Sequence, residues 1–545
     1  MRDANWFHDA VFYEVYIRAF ADGNGDGHGD FRGLIGKLDY FRDLGVDCLW
    51  LQPMYPSPLA DDGYDIADYY GIHPDYGVLD DLKECLAAAH ARGLRVIADL
   101  VLNHTSDQHP WFQSARASRS SPYRDYYVWS DTDRKYSQAR IIFVDTENSN
   151  WTWDEQAGQY YWHRFYSSQP DLNFDNPAVR EEMRRVMRFW LDAGLDGFRA
   201  DAVPYLFERE GTNCENLPES HAYLKDIRAF LDREYPGRVM LAEANQWPQD
   251  LRPYFGQGDE FHMAFHFPQM PRIFMALALG DRQPIVDILS ATPDIPENCQ
   301  WCTFLRNHDE LTLEMVTPEE REFLWQTYAP EPRMRLNLGI RRRLAPLLDG
   351  DRRKIELAYS ILFTLPGTPI IYYGDEIGMG DDIWLKDRDG VRTPMQWDGG
   401  PNAGFAGPDL PPDRLYAPLI DDERYGYRRV NVKAQQADPD SLWHRLRRMI
   451  AVRKLQPALG RGECRFLPLE QPSVLAVIRS YGNTAVLALH NLSAEPQRIQ
   501  PQLSSWRGAA VHDILNDRAL PPVGGRPYSV ALAPYEYRWL KLEQS

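Results

Sequence analysis

Three carboxylates, each at the end of an apolar run, are the residues of this sequence best suited to do chemistry. Asp201 and Glu243 each end a short apolar run, and Asp309 follows His308 at the end of a third. One carboxylate can attack the anomeric carbon of a sugar while a second, protonated carboxyl group donates to the leaving oxygen. A single Asp at such a place is more often a helix cap. Three in equivalent places, with Arg199 two residues before Asp201, indicate cleavage of a glycosidic bond.

The neighbours of the first two carboxylates predict different protonation states. Arg199 would keep Asp201 ionised as the nucleophile, since a nearby positive charge favours the carboxylate. Glu243, within Met-Leu-Ala-Glu-Ala, would be pushed toward the neutral acid because burial disfavours the charged form. A nucleophile and an acid of different pKa are what retaining cleavage requires.

Composition narrows the class of protein and of partner. The 545 residues include 60 Lys and Arg against 79 Asp and Glu, and the net charge of −19 would repel a nucleic acid. Aromatic residues make up 13% of the chain, a surplus that suits stacking on sugar rings. The first twenty residues show no signal peptide, and the apolar stretch around Tyr359 to Tyr373 is broken by prolines and too short to span a bilayer. We therefore expect a cytoplasmic protein without a membrane partner.

Cysteine usage agrees with a reducing compartment. Six cysteines in so long a chain do not form a disulfide framework. Cys299 and Cys302 form a C-x-x-C that could be redox-active or half of a zinc site, but no second Cys or His pair completes such a site. Free thiols are the better prediction.

Strand-like and helix-like segments alternate through most of the chain. The runs typical of strands are Phe12–Phe20, Val46–Pro53, Arg95–Leu102, Gly197–Ala202, Val239–Asn245, Glu260–Phe267, Cys302–Asp309 and Thr368–Asp375. Amphipathic helical spacing is found in Leu34–Leu44, Leu79–Ala91, Pro177–Ala193, Glu219–Glu234 and Arg352–Phe363. Eight alternations predict an α/β fold, a (β/α)₈ TIM barrel whose carboxyl strand ends collect the three carboxylates.

Three segments interrupt or follow this pattern. Residues 103–174 are polar and rich in aromatic side chains, too long for a loop, and predict a small inserted domain after strand three. Residues 310–350 form an extended connection after strand seven. We therefore divide the chain into barrel residues 1–102 and 175–455, the insertion, and a C-terminal antiparallel β-domain over 456–545, with strands such as Ser473–Ser480 and Asn483–Leu489.

Four motifs carry a family resemblance. Asp99–His104, Gly197–Ala202, Glu243 and Asn307-His308-Asp309 resemble, in order, the four signature regions of the α-amylase superfamily of retaining glycoside hydrolases and transglycosylases. The resemblance implies that Asp201 is the nucleophile and Glu243 the general acid/base. Asp309 would grip substrate hydroxyls and help distort the sugar ring.

The same resemblance implies a pocket for one terminal glucose. Gly63-Tyr64-Asp65 resembles the stretch that supplies an aromatic platform and a hydroxyl-binding carboxylate. Arg392, in Arg-Thr-Pro-Met-Gln-Trp-Asp, would pair with Asp65 and wall off the far end of the pocket; a surface arginine is the alternative. The substrate-binding set implied is Tyr64, Asp65, His104, Gln169, Arg199, His308 and Arg392.

Longer segments are similar to trehalose synthases, a branch of that superfamily. The segments are Phe261–Phe267, Phe304–Glu314 and Gly378–Arg388. The similarity implies intramolecular conversion of maltose to α,α-1,1-linked trehalose through a glucosyl–Asp201 intermediate, with minor hydrolysis to glucose. A closed pocket would favour the trapped sugar over water. We expect four residues to confine it, although ordinary loop roles are an equal alternative: Tyr205, Asn245, Glu310 and Glu314.

Rival functions use the same catalytic residues. An α-glucosidase or oligo-1,6-glucosidase would pass the glucosyl group to water, and a sucrose isomerase is a further alternative. A non-enzymatic superfamily member is disfavoured because the triad is intact and no membrane helix is visible; a pure starch-binding module would not need three converging carboxylates. We expect sugars as partners, no organic cofactor, and leave a homo-oligomer open.

One or two structural Ca²⁺ sites are predicted. One loop has oxygen-bearing residues at alternate positions, as a calcium loop requires, but position twelve is Gly33 rather than Glu, and an ion-free turn is the alternative. Its ligands would be Asp22, Asn24, Asp26, the His28 carbonyl and Asp30, and Mg²⁺ could replace Ca²⁺. A second site is implied only by the resemblance, with side chains of Asn103 and Asp171 and carbonyls of the loop Tyr205, Leu206 and Glu208.

Overall fold

Eight parallel strands form a closed barrel in this computed structural model, which describes residues 5–525 and 527–544. Each strand pairs with a parallel neighbour on both sides: Phe12 of the first strand lies opposite Cys48 of the second and Ile370 of the eighth. The strands, β1 to β8, are Phe12–Val15, Cys48–Leu51, Arg95–Val101, Gly197–Asp201, Val239–Ala242, Met263–Phe265, Gln300–Phe304 and Thr368–Tyr372. The predicted (β/α)₈ barrel is confirmed.

The strands are buried on both faces because helices cover them from outside. Nearly every strand residue is buried, which accounts for the continuous apolar runs in the sequence. The helix Pro177–Ala193 illustrates how the sequence sets its limits: the side chain of Asn176 accepts from the Ala178 amide, and Gly194 ends it at a φ of 120°. Residues next to the helix in sequence therefore set where it begins and ends, whereas the barrel strands determine which of its faces is buried.

The strands and helices of the barrel follow the predicted order, and their bounds differ from the prediction in three ways. Predicted strand Phe12–Phe20 ends at Val15 and continues as the short helix Ile17–Phe20, and predicted helix Leu34–Leu44 divides in two. The other predicted strands also overshoot, since the loop residues that follow them are largely buried like the strands. The barrel helices are Phe31–Gly36, Leu38–Leu44, Leu79–Ala91, Pro177–Ala193, Pro218–Glu234, Pro248–Leu251, Gln269–Leu279, Gln283–Ser290, Leu344–Leu347, Arg352–Thr364, Val432–Ala437, Leu442–Lys454 and Pro457–Arg461.

Three excursions extend from the carboxyl end of the barrel. The insertion after β3 has the helix Pro110–Ala117 and a three-stranded antiparallel sheet. A second small sheet and the helix Pro318–Tyr328 follow β7. A third excursion, after β8, runs through short 3₁₀ turns until Val432. The two sheets are built from Trp129–Ser130, Trp151–Asp154 and Gln159–Trp162, and from Leu311–Thr312, Arg335–Leu336 and Gly339–Ile340.

A six-stranded antiparallel sheet forms the C-terminal part of the chain. Its strands in spatial order are Glu463–Phe466, Val474–Tyr481, Thr484–Asn491, Tyr537–Glu543, Ala510–Asp513 and Arg518–Leu520. Gln497–Ile499 pairs with Val530–Leu532 in a second, two-stranded sheet. The two sheets enclose a hydrophobic core separate from that of the barrel. The predicted C-terminal β-domain is confirmed as a fold element.

Two further findings concern the cysteines and the presence of membrane-spanning helices. Each of the six cysteines is a free thiol. Over residues 5–525 and 527–544, we find no helix with the length and apolar character needed to cross a bilayer.

Candidate active site

One buried guanidinium joins three carboxylates at the carboxyl end of the barrel. Arg199 on β4 is 1% exposed, and its Nη1 donates to Asp99 of β3 and to Asp201 of β4, each at 2.5 Å. Its Nη2 contacts Glu243, directly after β5. The two carboxylates predicted to act on a glycosidic bond are therefore fixed relative to each other by one planar, five-donor side chain.

Burial and charge act on the pKa values of this cluster. Burial raises the pKa of Glu243 to about 8, against the opposing charge of Arg199 and with added repulsion from Asp201. Burial also raises the pKa of Asp201, and the positive charge of Arg199 opposes that rise. Glu243 can consequently hold a proton near neutral pH, as a general acid must.

The third carboxylate has the opposite environment. Although burial alone would raise the pKa of Asp309, His308 and two arginines hold it well below its usual range. The His308 Nε2 lies 3.1 Å from Asp309 Oδ2, and Arg388 and Arg392 donate to Oδ1 at 2.7 and 3.2 Å. Asp309 is thus an ionised acceptor held from two sides.

These carboxylates face one cavity. Its floor comes from the carboxyl ends of barrel strands, its roof from Ile142, Phe143 and Phe165 of the insertion, and its far side from the excursion after β7. All four predicted confining residues line it. Besides the three roof residues, the lining residues are Asp61, Tyr64, His104, Asp201, Ala202, Tyr205, Glu243, Asn245, Phe267, Asn307, His308, Asp309, Glu310, Thr312, Glu314 and Arg388.

The predicted substrate-binding residues divide into two groups. Tyr64 and His308 line the cavity with their rings stacked at 5.2 Å, and His104 lines it with an Nε2 that has no hydrogen-bond partner in the described part of the chain. Gln169 and Arg199 lie behind the lining residues, where Gln169 Nε2 donates to Asp61 at 2.8 Å. The second group supports the wall rather than forming it.

The predicted pair between Arg392 and Asp65 is wrong. Arg392 contacts Asp62 and Asp309, and its Nε donates to the His308 carbonyl at 2.9 Å. Asp65 is fully buried and accepts from Ser57 Oγ and from the amides of its own loop. The turn at Asp62 and Gly63, with φ of 49° and 109°, directs Asp65 into that loop. Asp65 is therefore a loop-stabilising residue that does not reach the cavity.

Asp61 and Arg388 occupy the place expected of that pair, and the sequence reasoning missed both. Asp61 lines the cavity, 6% exposed, and accepts from Arg388 Nη2 at 2.5 Å. Arg388 bridges it to Asp309. The signal available was weak: three carboxylates fall within Asp61–Asp65, and only the turn conformation decides which one faces inward.

Arg140 of the insertion is a second residue that the sequence reasoning missed. Its Nη1 donates to Glu314 at 2.7 Å, its Nε to Glu215 at 2.9 Å and its Nη2 to Tyr205 Oη at 3.2 Å. It therefore ties the roof to the excursion after β7 and to the loop after β4. Nothing in the local sequence around Arg140 distinguishes it from its polar neighbours.

Glu14 is a third functional residue that the sequence reasoning missed, although the sequence contains a signal for it. It is a lone acidic residue within the buried strand Phe12-Tyr-Glu-Val, and it is 0% exposed. Its Oε1 lies 2.5 Å from Nδ1 of His308. An ionisable side chain in an otherwise apolar strand indicates a buried partner.

The two predicted calcium sites differ in what their residues do. In the first loop, Asp22, Asn24 and Asp30 accept hydrogen bonds from amides of the loop itself. In the second, Asp171 Oδ2 and Glu208 Oε1 are buried and, within residues 5–525 and 527–544, have no hydrogen-bond partner. Among those same residues no three His, Cys, Asp or Glu side chains converge in a metal-binding group. Unsatisfied carboxylate oxygens make the second set the better fit to a hard cation.

Comparison with known proteins matches this architecture. The family described as the α-amylase catalytic domain matches residues 14–327 and 341–462, and the maltogenic amylase C-terminal domain matches residues 464–539. The chain is 57% identical to trehalose synthase/amylase TreS of Mycolicibacterium smegmatis, over 99% of this chain and 93% of that protein. It is 55% identical to trehalose synthase of Pimelobacter sp., over 99% and 96%.

Solved structures of sugar isomerases share the fold. An inactive double mutant of MutB in complex with isomaltulose superimposes with a TM-score of 0.78 at 30% identity, over 99% of each chain. Isomaltulose synthase PalI of Klebsiella sp. LX3 also gives 0.78, at 28% identity over 99% of each chain. The chain belongs to the α-amylase superfamily and, within it, to the trehalose synthases, so that it is an enzyme of sugar isomerisation.

Proposed function

We propose that this enzyme converts maltose to trehalose by intramolecular transfer of one glucosyl group. The observation that carries the proposal is the cavity itself, in which an acid–nucleophile pair lies under a roof fastened by Arg140. The names of the relatives support the direction of the chemistry.

The first step cleaves the glycosidic bond. Asp201 attacks the anomeric carbon of the non-reducing glucose, while Glu243 donates its proton to the leaving oxygen. The raised pKa of Glu243, about 8, suits the acid role. Asp309 accepts from hydroxyls of the same sugar, held in place by His308 and Arg388. The products are a glucosyl–Asp201 ester and a free glucose that stays in the cavity.

The second step forms the new bond. The retained glucose turns so that its anomeric hydroxyl faces the ester, and Glu243, now a carboxylate, accepts the proton of that hydroxyl. The oxygen attacks the anomeric carbon, the bond to Asp201 breaks, and two inversions leave the configuration retained. Water is the competing nucleophile, and its attack gives minor hydrolysis to glucose.

Confinement decides between these two outcomes. A trapped sugar competes with water through its high effective concentration, which a roofed cavity provides. Arg140, Glu314 and Tyr205 form the hydrogen-bonded contact between roof and wall. Two further lining residues are also joined, since Asn245 Nδ2 donates to Thr312 Oγ1 at 3.1 Å. We call these five residues the rim of the cavity and assign the confining role to them.

An isotope experiment tests the proposal. The protein is incubated with unlabelled maltose and excess ¹³C-glucose, and anomeric signals are followed by NMR. We expect trehalose to appear ahead of free glucose and to contain little ¹³C, because the transferred and accepting sugars come from one maltose. Heavily labelled trehalose would contradict the intramolecular step. Glucose alone would identify an α-glucosidase instead.

We further propose that Ca²⁺ has a structural role near this site. Asn103 and Asp171, with carbonyls of Tyr205, Leu206 and Glu208, would hold one ion between barrel and insertion, and the loop Asp22–Asp30 a second, Ca²⁺ or Mg²⁺. An ion there supplies only charge and loop order. Its removal by a chelator is expected to lower the melting temperature, and an unchanged melting temperature would contradict the assignment. Independently of the ion sites, we propose a cytoplasmic location for the enzyme.

A further inference from the structure

Glu14 is a fully buried carboxylate directly beneath the cavity. It lies at the centre of β1 and is 0% exposed. A buried ionised carboxylate destabilises a fold unless it is paired and hydrogen-bonded. Its Oε1 lies 2.5 Å from His308 Nδ1 and accepts from Gln52 Nε2 at 3.0 Å. Glu14 is not among the residues that line the cavity, but its contact with His308 connects it to a residue that does.

His308 lies between two carboxylates. Its Nδ1 faces Glu14, and its Nε2 faces Asp309 at 3.1 Å. An ionised carboxylate only accepts hydrogen bonds, so both ring nitrogens must carry protons to satisfy both neighbours. Tyr64 stacks on the ring at 5.2 Å, and the edge of Trp50 packs against it at 5.7 Å. The ring has one orientation, and that orientation directs a donor at Asp309.

We propose that Glu14 is a positioning residue, which holds His308 doubly protonated and aimed at Asp309, and so fixes Asp309 as the acceptor of sugar hydroxyls. This inference rests on the proposed role of Asp309 in gripping the substrate. Glu14 touches neither substrate nor reacting atoms. Its contribution passes through the charge and the orientation of the imidazole.

The surrounding charges agree with this reading. Burial lowers the pKa of His308, but Asp309 and Glu14 more than offset this and raise it to about 9. Asp99 on β3 interacts electrostatically with His308, while Arg392 donates to the His308 carbonyl. The other ionisable groups near this pair are unaltered in a variant of Glu14 alone: Tyr64 stacks on the His308 ring, and Tyr372 and Asp375 interact electrostatically with Glu14.

The test is the pH dependence of kcat/KM for 4-nitrophenyl α-glucoside in Glu14→Gln. Its leaving group needs no proton, so the alkaline decline reports His308 rather than Glu243, and kcat/KM covers only the first chemical step. Removing the charge of Glu14 lowers the pKa of His308, so the protonated ring is lost at lower pH. We expect the alkaline decline to move down by about one pH unit or more. At pH values below both declines, kcat/KM approaches that of the unaltered enzyme.

Glu376→Gln is the matched control. Glu376 is likewise 0% exposed and bonded to buried groups, Tyr13 and Tyr40, but it does not contact His308. It should lose stability without a shift of the alkaline decline. A uniform loss in Glu14→Gln at every pH, or the same profile in both variants, would make Glu14 merely structural and overturn the proposal.

A second measurement keeps the proposal testable if Glu14→Gln does not fold. In the unaltered protein labelled with ¹⁵N-histidine, His308 signals are assigned by their loss in His308→Gln. We expect both ring nitrogens to be protonated at pH 8. One bare nitrogen would show that Glu14 carries the proton, and the proposal would fail. Neither readout requires trehalose to form, so failure of isomerisation would appear separately, as glucose alone from maltose.

Discussion

The floor and the rim of the cavity are built in different ways. On the floor, Arg199 and His308 are each 1% exposed and join carboxylates that strands of one barrel hold in place. At the rim, Arg140 is 37% exposed and joins the insertion to the loop after β4 and to the excursion after β7. The floor is a set of buried strand ends, whereas the rim depends on contacts between loop segments that follow different strands.

This difference separates two functions that one site must combine. Bond cleavage needs groups fixed within fractions of an ångström, which buried strand ends supply. Choice between sugar and water as acceptor needs a closure that can also open to admit substrate, which loops supply. Changes to the floor should therefore abolish both reactions together. Changes to the rim should alter their ratio.

Asp201→Asn is the floor change with the largest expected effect. Without the nucleophilic carboxylate neither transfer nor hydrolysis can begin, so both rates should fall by about 10⁴-fold or more. Initial rates of trehalose and glucose formation from maltose measure this. A variant that lost isomerisation but kept hydrolysis would show that Asp201 belongs functionally with the rim.

Arg388→Lys tests the boundary between the two regions. Arg388 joins Asp61 to Asp309 in a fork that a lysine cannot reproduce. We expect kcat/KM for maltose to fall by about a hundredfold, the loss of about 3 kcal/mol, with the product ratio unchanged. Arg341→Lys is the control, since Arg341 holds the same loop through backbone carbonyls of Leu385 and Asp387. Equal losses in both variants would mean that loop anchoring alone is being measured.

The acid on the floor predicts a pH dependence. In the proposed mechanism Glu243 must be protonated to act, and burial raises its pKa to about 8. The kcat/KM for maltose should therefore be insensitive to this group below pH 8 and fall about tenfold per unit above it. With 4-nitrophenyl α-glucoside the decline should begin at higher pH. Coincident declines for both substrates would remove Glu243 from the acid role.

The sequence predicted the floor far better than the rim. Asp201, Glu243 and Asp309 follow apolar strands whose order around a barrel is fixed by topology, so their convergence could be predicted from spacing. Glu14 could have been found by the same reasoning, as a charge inside a buried strand. The barrel itself follows from hydrophobic patterning, which is a local property of the chain.

Rim contacts depend on information that no local pattern carries. Arg140 and Glu314 are 174 residues apart, and their pairing depends on how two excursions fold against each other. Asp65 shows the same limit at short range, because a left-handed turn at Asp62 decides which carboxylate faces the cavity. Where loop conformation chooses among similar side chains, sequence predicts the set but not the member.

Arg140→Ala is the rim change that tests the comparison most directly, with the smallest expected effect. A partly exposed ion pair is worth about 1 kcal/mol, which corresponds to about a fivefold change in the ratio of trehalose to glucose. Maltose consumption should fall much less than this ratio, because the floor is untouched. Arg116→Ala is the matched control: Arg116 also lies on the insertion and pairs with Asp154 at 2.7 Å, away from the cavity. A lowered ratio in Arg140→Ala alone supports confinement by the rim, whereas an unchanged ratio would assign the choice of acceptor to the floor.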